Sequence, residues 1–225
     1  MEQLAADPGA FIRPSPSGGT LGGVARKTRE TIILFEAAGY DVILVETVGV
    51  GQSEVLVRSM VDFFLLILIA GAGDELQGIK KGVVEIADAI LINKADGRGK
   101  QAALATRAEF EQVLHYLRPV TEGWQTRAFT CSALSGEGVD SAWQVVQKYI
   151  AITGASGVLQ QRRAQQETEW VRALVREGLE GMFARHPAVL ALQDDLEQQV
   201  ARGELPATSA ARRLLEAFSR DTEKD

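Results

Sequence analysis

Ala87-Asp88-Ala89-Ile90-Leu91-Ile92-Asn93-Lys94-Ala95-Asp96 is the stretch from which the rest of the chain is read. An unbroken apolar run such as Ala89 to Ile92 suits a parallel strand covered on both faces, which has no wet side to alternate toward. The run ends in Asn-Lys-x-Asp, at the carboxyl end of the expected strand, where open α/β sheets place their ligands. A carboxylate placed like Asp96 can accept from both N1–H and the exocyclic N2–H₂ of guanine. Adenine offers an acceptor at N1, so the same carboxylate repels it. Asn93 is expected to brace the loop and reach N7, with the stem of Lys94 lying along the base. Further on, Ser132-Ala133-Leu134 follows a second β-like stretch, and the backbone N–H of Ala133 is expected to be free for O6. A wrong base would leave polar groups unpaired, which is the source of steep selectivity.

These residues are the base-reading half of a GTPase, and the phosphate-holding half has no counterpart in the sequence. A phosphate-binding loop needs Gly-x-x-x-x-Gly-Lys-[Ser/Thr] between a strand and a helix, so that backbone N–H groups and a lysine wrap the phosphates. The nearest imitation is Gly22-Gly23-Val24-Ala25-Arg26-Lys27-Thr28, where Arg26 stands at the position that requires glycine and no apolar strand precedes. Lys27-Thr28 reads instead as the exposed face of a starting helix. Gly97-Arg98-Gly99-Lys100-Gln101 fails as well, because Gln follows the lysine.

Outward from this centre, apolar runs alternate with helical patterns. Residues 1–23 read as a loop, carrying Pro8, Pro14, Pro16 and five glycines. Val24 to Ala38 has helical spacing and stops at Gly39. Strands are expected at Asp41 to Val45, Asp62 to Ile69, Asp88 to Ile92 and Arg127 to Cys131. The helices expected among and after them are Ser53 to Ser59, Leu76 to Ile86, Lys100 to Leu117 and Val139 to Ile152. Strand–helix alternation at this spacing predicts a doubly wound α/β sheet. From Gly157 onward strand signals cease; Val158 to Phe183, Ala188 to Arg202 and Ala207 to Arg220 read as helices, with a break at His186-Pro187. The chain therefore divides into a sheet domain over residues 1–154 and a helical extension over 155–225. In that extension Leu174, Val175, Leu179, Met182 and Phe183 need a surface to cover them, either the sheet domain or a second subunit.

Bulk properties exclude several classes. A net charge of -6 and a pI near 5.1, without a basic run, argue against nucleic acid as the main partner. A single cysteine, Cys131, excludes a disulfide framework and suits a reducing cytoplasm. The two histidines, His115 and His186, are far apart, which disfavours a zinc or nickel site. The longest apolar run, Phe63 to Ala70, is far too short to cross a bilayer and reads as a central strand. No basic region followed by an apolar stretch opens the chain, so no export signal is visible. The expectation is a soluble cytoplasmic protein without nucleic-acid or membrane partners.

The expected strand Asp41 to Val45 runs into Glu46-Thr47-Val48-Gly49-Val50-Gly51-Gln52-Ser53-Glu54. An acidic residue at a strand's carboxyl end can hold Mg²⁺, which prefers few carboxylates together with waters and phosphates. Gly49 would let a backbone N–H approach the γ-phosphate. The plainer reading is a turn behind a strand, and Glu-Thr-Val-Gly alone is a weak signal; Asn-Lys-x-Asp downstream strengthens it. Together with Gly71-Ala72-Gly73-Asp74-Glu75-Leu76-Gln77-Gly78-Ile79-Lys80 and the opening loop Phe11 to Gly23, these motifs resemble the MeaB/ArgK-type GTPases, over essentially the whole chain. Those are the G-protein chaperones of adenosylcobalamin-dependent methylmalonyl-CoA mutase.

The resemblance implies a P-loop-GTPase-type, mostly parallel sheet, N-terminally truncated, with an α-helical C-terminal extension used for dimerisation. It implies GTP/GDP and Mg²⁺ as cofactors, a homodimer, and an adenosylcobalamin-dependent acyl-CoA mutase as partner, whose cofactor loading is gated and which is protected from inactivation. It makes Glu46 the Mg²⁺ and γ-phosphate residue, Gly49 part of the same switch, and Asp74, Glu75 and Lys80 the charged contacts of a switch that answers to the mutase. Asp74-Glu75 also reads more plainly as an acidic first turn of a helix. Asn93, Lys94, Asp96, Ser132, Ala133 and Leu134 are the implied nucleotide contacts. Family members carry a helical segment, a first strand, the phosphate loop and another strand before the loop that opens this chain. Met1 thus falls at an internal position, as in a truncated gene, a late start site or a fragment. The chain as written is expected to show little or no GTPase activity, and loss of the first strand to expose neighbouring sheet edges. The alternatives are a non-enzymatic module that docks on the mutase and dimerises, or a nickel-insertion GTPase, which should carry Cys/His ligands scarce here.

Overall fold

Three short apolar strands and the helices between them make the first of two compact units, residues 1–166; the second spans residues 167–225. The structure is a computed structural model, and it describes residues 2–14, 21–47, 53–70 and 81–222. In the first unit, β1 (Leu65–Ile69), β2 (Ala89–Asn93) and β3 (Ala128–Thr130) form a parallel sheet in the order β1-β2-β3. The register pairs Leu65 with Ala89 and Ile69 with Asn93 on one side, and Ile90 with Ala128 and Ile92 with Thr130 on the other. Ala89 to Ile92 of the central strand are all buried, as the unbroken apolar run predicts. Each isoleucine there contributes about 1.5–3 kcal/mol by leaving water.

Helices α1 (Glu2–Ala5), α2 (Leu21–Ala37), α3 (Ser53–Arg58), α4 (Lys81–Glu85), α5 (Lys100–Tyr116) and α6 (Val139–Ala155) accompany the sheet. Helix α5 buries Ala103, Phe110 and Leu114, a stripe at helical spacing, in a core shared with Phe64, Val84, Ala87, Ile90, Ile92 and Ala128. Helix α6 buries Tyr149, whose ring meets Phe63 at 4.9 Å and Trp124 at 5.2 Å, both edge-on.

Three expectations change. Residues 1–23 are not all loop: α1 occupies Glu2–Ala5 and α2 starts at Leu21. The glycine-rich imitation of a phosphate loop, Gly22 to Thr28, therefore lies wholly within α2, where consecutive N–H groups are turned along the helix axis rather than around an anion. Asp41 to Val45, expected as a strand, belongs to no ladder: residues 42–47 carry no regular structure, and Val42 and Leu44 are 49% and 85% exposed. The run has the residues of an interior strand, but a strand also needs a neighbour's backbone groups, and none among the described residues pairs with it. The run Phe63 to Ala70, expected as a central strand, supplies an outer one instead. Among the described residues β1 is paired on one side only, with Ile67 and Ile69 57% and 49% exposed. The expected start of a helix at Leu76 lies outside the described residues, and α4 begins at Lys81.

Helix α7 (Val158–Ala184) begins in the first unit and continues into the second, which adds α8 (Pro187–Ala201) and α9 (Ala207–Thr222). His186 stands at the N-cap of α8 with Pro187 in the first turn, where a missing N–H costs no helical bond. Val189, Leu196 and Ala210 are buried where α8 packs on α9, and Phe218 takes the rings of Phe183 and His186 at 5.6 and 5.1 Å. Val171, Val175, Leu179 and Met182 form one stripe along α7 and are each more than half exposed.

Candidate nucleotide-binding site

The site is built where β2 and β3 end side by side. Cys131 N–H continues the ladder to the carbonyl of Ile92 at 2.9 Å, and Ala95 N–H returns to the carbonyl of Cys131 at 2.9 Å. The two loops that follow are thereby held edge to edge. Asn93 Oδ1 closes them further, accepting from Lys94 N–H at 2.7 Å, Ala133 N–H at 3.1 Å and Cys131 Sγ–H at 3.5 Å. Three donors on one oxygen fix which end of the amide faces the protein, so the NH₂ is the half available to an acceptor such as N7. Lys94 takes a left-handed backbone with φ 61°, the one non-glycine with positive φ among the described residues. Such strain costs about 1 kcal/mol or more and gathers at functional loops.

Asp96 sits across from Ser132, whose fully buried hydroxyl donates to Asp96 Oδ2 and accepts from Ser135 N–H at 3.1 Å. One carboxylate oxygen is thus anchored, and Oδ1 has no partner among the described residues. Since each oxygen carries two lone pairs, a group presenting two adjacent N–H donors can still be met in full. The loop 132–137 is tied on itself by Ser132 N–H to the Glu137 carbonyl at 2.8 Å and Gly136 N–H to the Ser132 carbonyl at 2.9 Å. An exposed ion pair, Lys100 Nζ to Glu137 Oε1 at 3.1 Å, spans the two loops from outside. Leu134 is 90% exposed at the tip.

Five of the residues expected from sequence, Asn93, Lys94, Asp96, Ser132 and Ala133, are therefore brought together, with Leu134 beside them. One detail is corrected: the Ala133 N–H, expected to be free for O6, is engaged by Asn93 Oδ1. The amide donates across the two loops, and O6 would have to share or displace that bond. Glu46 lies exposed at the end of residues 42–47. Gly49, Asp74, Glu75 and Lys80 lie outside the described residues. No group of three or more His, Cys, Asp or Glu side chains that could hold a metal occurs among the described residues. Of the residues expected at the Mg²⁺ and γ-phosphate switch, Glu46 is the one among the described residues, and its lone carboxylate suits an ion that is completed by phosphate and water.

The family model for methylmalonyl Co-A mutase-associated GTPase MeaB matches residues 1–188. The chain belongs to the MeaB family. It is 52% identical over 218 residues to a putative GTPase of Caulobacter vibrioides, covering 97% of this chain and 67% of that protein. It is 51% identical over 177 residues to the GTPase ArgK of Escherichia coli, covering 79% of this chain and 54% of the relative. It is 44% identical over 218 residues to the mitochondrial methylmalonic aciduria type A homolog of Mus musculus, covering 97% and 52%. A solved structure described as LAO/AO transport system kinase superposes with a TM-score of 0.76 at 40% identity, covering 96% of this chain and 68% of that one. The chain thus spans about half to two thirds of the length of these curated relatives. The likeness establishes a P-loop-GTPase-type, mostly parallel sheet with a helical C-terminal region for this MeaB-family chain. No helix among its described residues is long and apolar enough to cross a membrane.

At the opposite ends of the strands lies a polar cluster that the sequence pattern did not disclose. Asp88, fully buried just before β2, accepts from Phe64 N–H at 2.9 Å, Thr121 Oγ1–H at 2.6 Å and Arg58 Nη2 at 3.3 Å. Arg162 of α7 approaches the same carboxylate at 3.6 Å and also donates to the Asp62 carbonyl, Tyr149 Oη and Thr121 Oγ1. Trp124 Nε1–H reaches the Asp88 carbonyl at 2.8 Å, and Gln166 Nε2 the Val61 carbonyl at 3.0 Å. Burial holds the Arg58 guanidinium below its ordinary value despite the nearby Asp88. Burial, then the Asp88 charge, pushes the Tyr149 phenol up. This clasp ties the root of α7 to the sheet and stands away from the loops that follow β2 and β3. The available sequence signal was the single acid inside the apolar stretch Ile86 to Ile92. Cys131, whose thiol is pushed up by burial, also escaped notice as a contact of Asn93.

Proposed function

We propose that this chain reads guanine through Asn93, Lys94, Asp96, Ser132, Ala133 and Leu134, as part of a GTP-switched chaperone of an adenosylcobalamin-dependent methylmalonyl-CoA mutase. In this role GTP binding and hydrolysis gate cofactor loading and protect the mutase from inactivation. The observation that carries the base-reading claim is the Asp96 carboxylate, anchored by buried Ser132 on one oxygen and open on the other, beside the amide of Asn93. Two adjacent N–H donors on the Watson–Crick edge of guanine satisfy that carboxylate, while N7 meets the Asn93 NH₂. The mutase is carried over from the family description. Glu46 would hold Mg²⁺, which when bound neutralises phosphate charge; Gly49 would follow the γ-phosphate, and Asp74, Glu75 and Lys80 would answer to the mutase. Residues 1–154 act as the partial GTPase domain and 155–225 as the helical extension. The exposed stripe Val171, Val175, Leu179 and Met182 supports pairing of two subunits, since an apolar stripe of that length is costly to leave wet. The working compartment is the cytoplasm.

Titration with GMP, XMP and AMP, followed by amide shifts in heteronuclear NMR, tests the base-reading claim without calling on phosphate contacts. Asp96→Asn replaces one acceptor by an amide donor, which opposes N2–H₂ of guanine and suits the C2 carbonyl of xanthine. Preference should therefore move from GMP to XMP by about tenfold or more. An unaltered chain with no preference for GMP over AMP, or an Asp96→Asn chain with unchanged preference, refutes the assignment. A second reading, a mutase-docking and dimerising module without hydrolysis, is supported by the exposed apolar stripe along α7. Mutase capture that does not depend on nucleotide would select it.

A further inference from the structure

Two glycines flank the turn after Asp96, and they are needed for different reasons. Gly97 has φ +46°, but a Cβ added there would meet nothing within 4 Å. Gly99 has an ordinary right-handed backbone, φ -77° and ψ -17°, which any residue adopts. A Cβ on Gly99, however, would stand 2.5 Å from the carbonyl oxygen of Lys94, closer than real Cβ contacts come. That oxygen belongs to backbone and cannot swing aside as a side chain can. Gly99 N–H also donates to the Asp96 carbonyl at 2.8 Å, closing the turn over Lys94. The residue pressed against is Lys94, already held left-handed at φ 61° by its N–H bond to Asn93 Oδ1.

From this we infer that Gly99 is a positioning residue for base recognition, outside the Asn-Lys-x-Asp motif, acting through the Lys94 carbonyl to set where Asp96 presents its carboxylate. The inference rests on the guanine-reading assignment above. A side chain at position 99 must push the Lys94–Ala95 peptide outward. The Ala95 N–H bond to the Cys131 carbonyl and the Ser132 bond to Asp96 then lose their common register. The base keeps its stacking surface, but the carboxylate no longer meets N1–H and N2–H₂ together.

The discriminating probe is GMP against IMP, which differ by the N2 amino group alone. In the full chain, Gly99→Ala should lower the GMP-over-IMP preference by about tenfold, the equivalent of one charge-assisted hydrogen bond. Gly97→Ala, which meets open space, should keep the preference within about twofold while showing the ordinary cost of a side chain at positive φ in its melting temperature. A folded Gly99→Ala chain that discriminates GMP from IMP as the unaltered chain does overturns the inference and leaves the guanine-reading assignment standing. Equal loss in both variants overturns it too, because loop stiffness rather than the Lys94 contact would then be at work. An unfolded Gly99→Ala chain also overturns it, placing Gly99 in the fold instead of the recognition. An unaltered chain that does not distinguish GMP from AMP overturns the functional reading and this inference with it.

Discussion

Replacing Asp88 with alanine should be among the most damaging single changes in the sheet unit. The carboxylate is fully buried and meets Phe64 N–H at 2.9 Å, Thr121 Oγ1 at 2.6 Å, Arg58 at 3.3 Å and Arg162 at 3.6 Å. Removing it leaves two guanidinium groups, with side chains 12% and 14% exposed, facing each other without a counter-charge. Breaking a buried pair in this way costs about 3–5 kcal/mol, most of it from the abandoned charge. The Phe64 N–H and the Thr121 hydroxyl lose an acceptor as well, at about 1–3 kcal/mol each where no water enters. These costs overlap, because the groups relax together, so about 4–6 kcal/mol is expected in total. Against the roughly 5–15 kcal/mol of an ordinary domain, that brings the unit to the margin of folding. Urea unfolding followed by tryptophan fluorescence is the natural assay, since the Trp124 indole is bonded to the Asp88 carbonyl. With a slope of about 2 kcal/mol per molar, the midpoint should fall by about 2–3 M. Lys100→Ala, which breaks an exposed ion pair, should change stability by less than about 1 kcal/mol. A folded Asp88→Ala chain within about 1 kcal/mol of the unaltered one would refute the view that this cluster is held by its carboxylate.

Two more outcomes follow from the packing. The Tyr149 phenol is raised above its ordinary 10.0, first by burial and then by Asp88. A raised value favours the neutral form in the folded state, so this contribution is complete below pH 10 and is lost as pH climbs through the folded-state value. Tyr149→Phe should flatten the loss of stability in alkaline urea titrations, and an unchanged slope would sink that account. Val175→Glu with Leu179→Glu places charge on the exposed stripe of α7, where both side chains are more than half exposed. Sedimentation equilibrium should show a dimer for the unaltered chain and a monomer of equal helicity for the double variant; a monomer in both would dismiss the stripe as an interface.

Local sequence was enough for much of this protein. Period-free apolar runs located β1 and β2, a shorter β-like stretch located β3, and helical spacing located α2, α5, α6 and the three helices beyond residue 157, because apolar content and the 3.6-residue repeat are written into residue order. That β1 is outermost among the described strands and half exposed was not. The proximity of Asn93, Lys94, Asp96, Ser132 and Ala133 was legible for a similar reason: each of the two loops directly follows a strand, so strand order brings them together.

Tertiary structure decided what depends on partners remote in sequence. Val42 to Val45 has the composition of a strand yet pairs with nothing among the described residues, since a ladder exists only where a neighbour's N–H and C=O groups arrive. Ala133 N–H looked available until Asn93, 40 residues earlier, was found to accept it. The need for glycine at position 99 comes from the Lys94 carbonyl curling back over it, with no signal in backbone preference. Asp88 was read as the start of a strand. Its partners Arg58, Thr121 and Arg162 lie 30, 33 and 74 positions away, and only folding makes them one cluster. Close approach and charge neutralisation are pairwise properties, and a single sequence records the members of a pair without recording the pair.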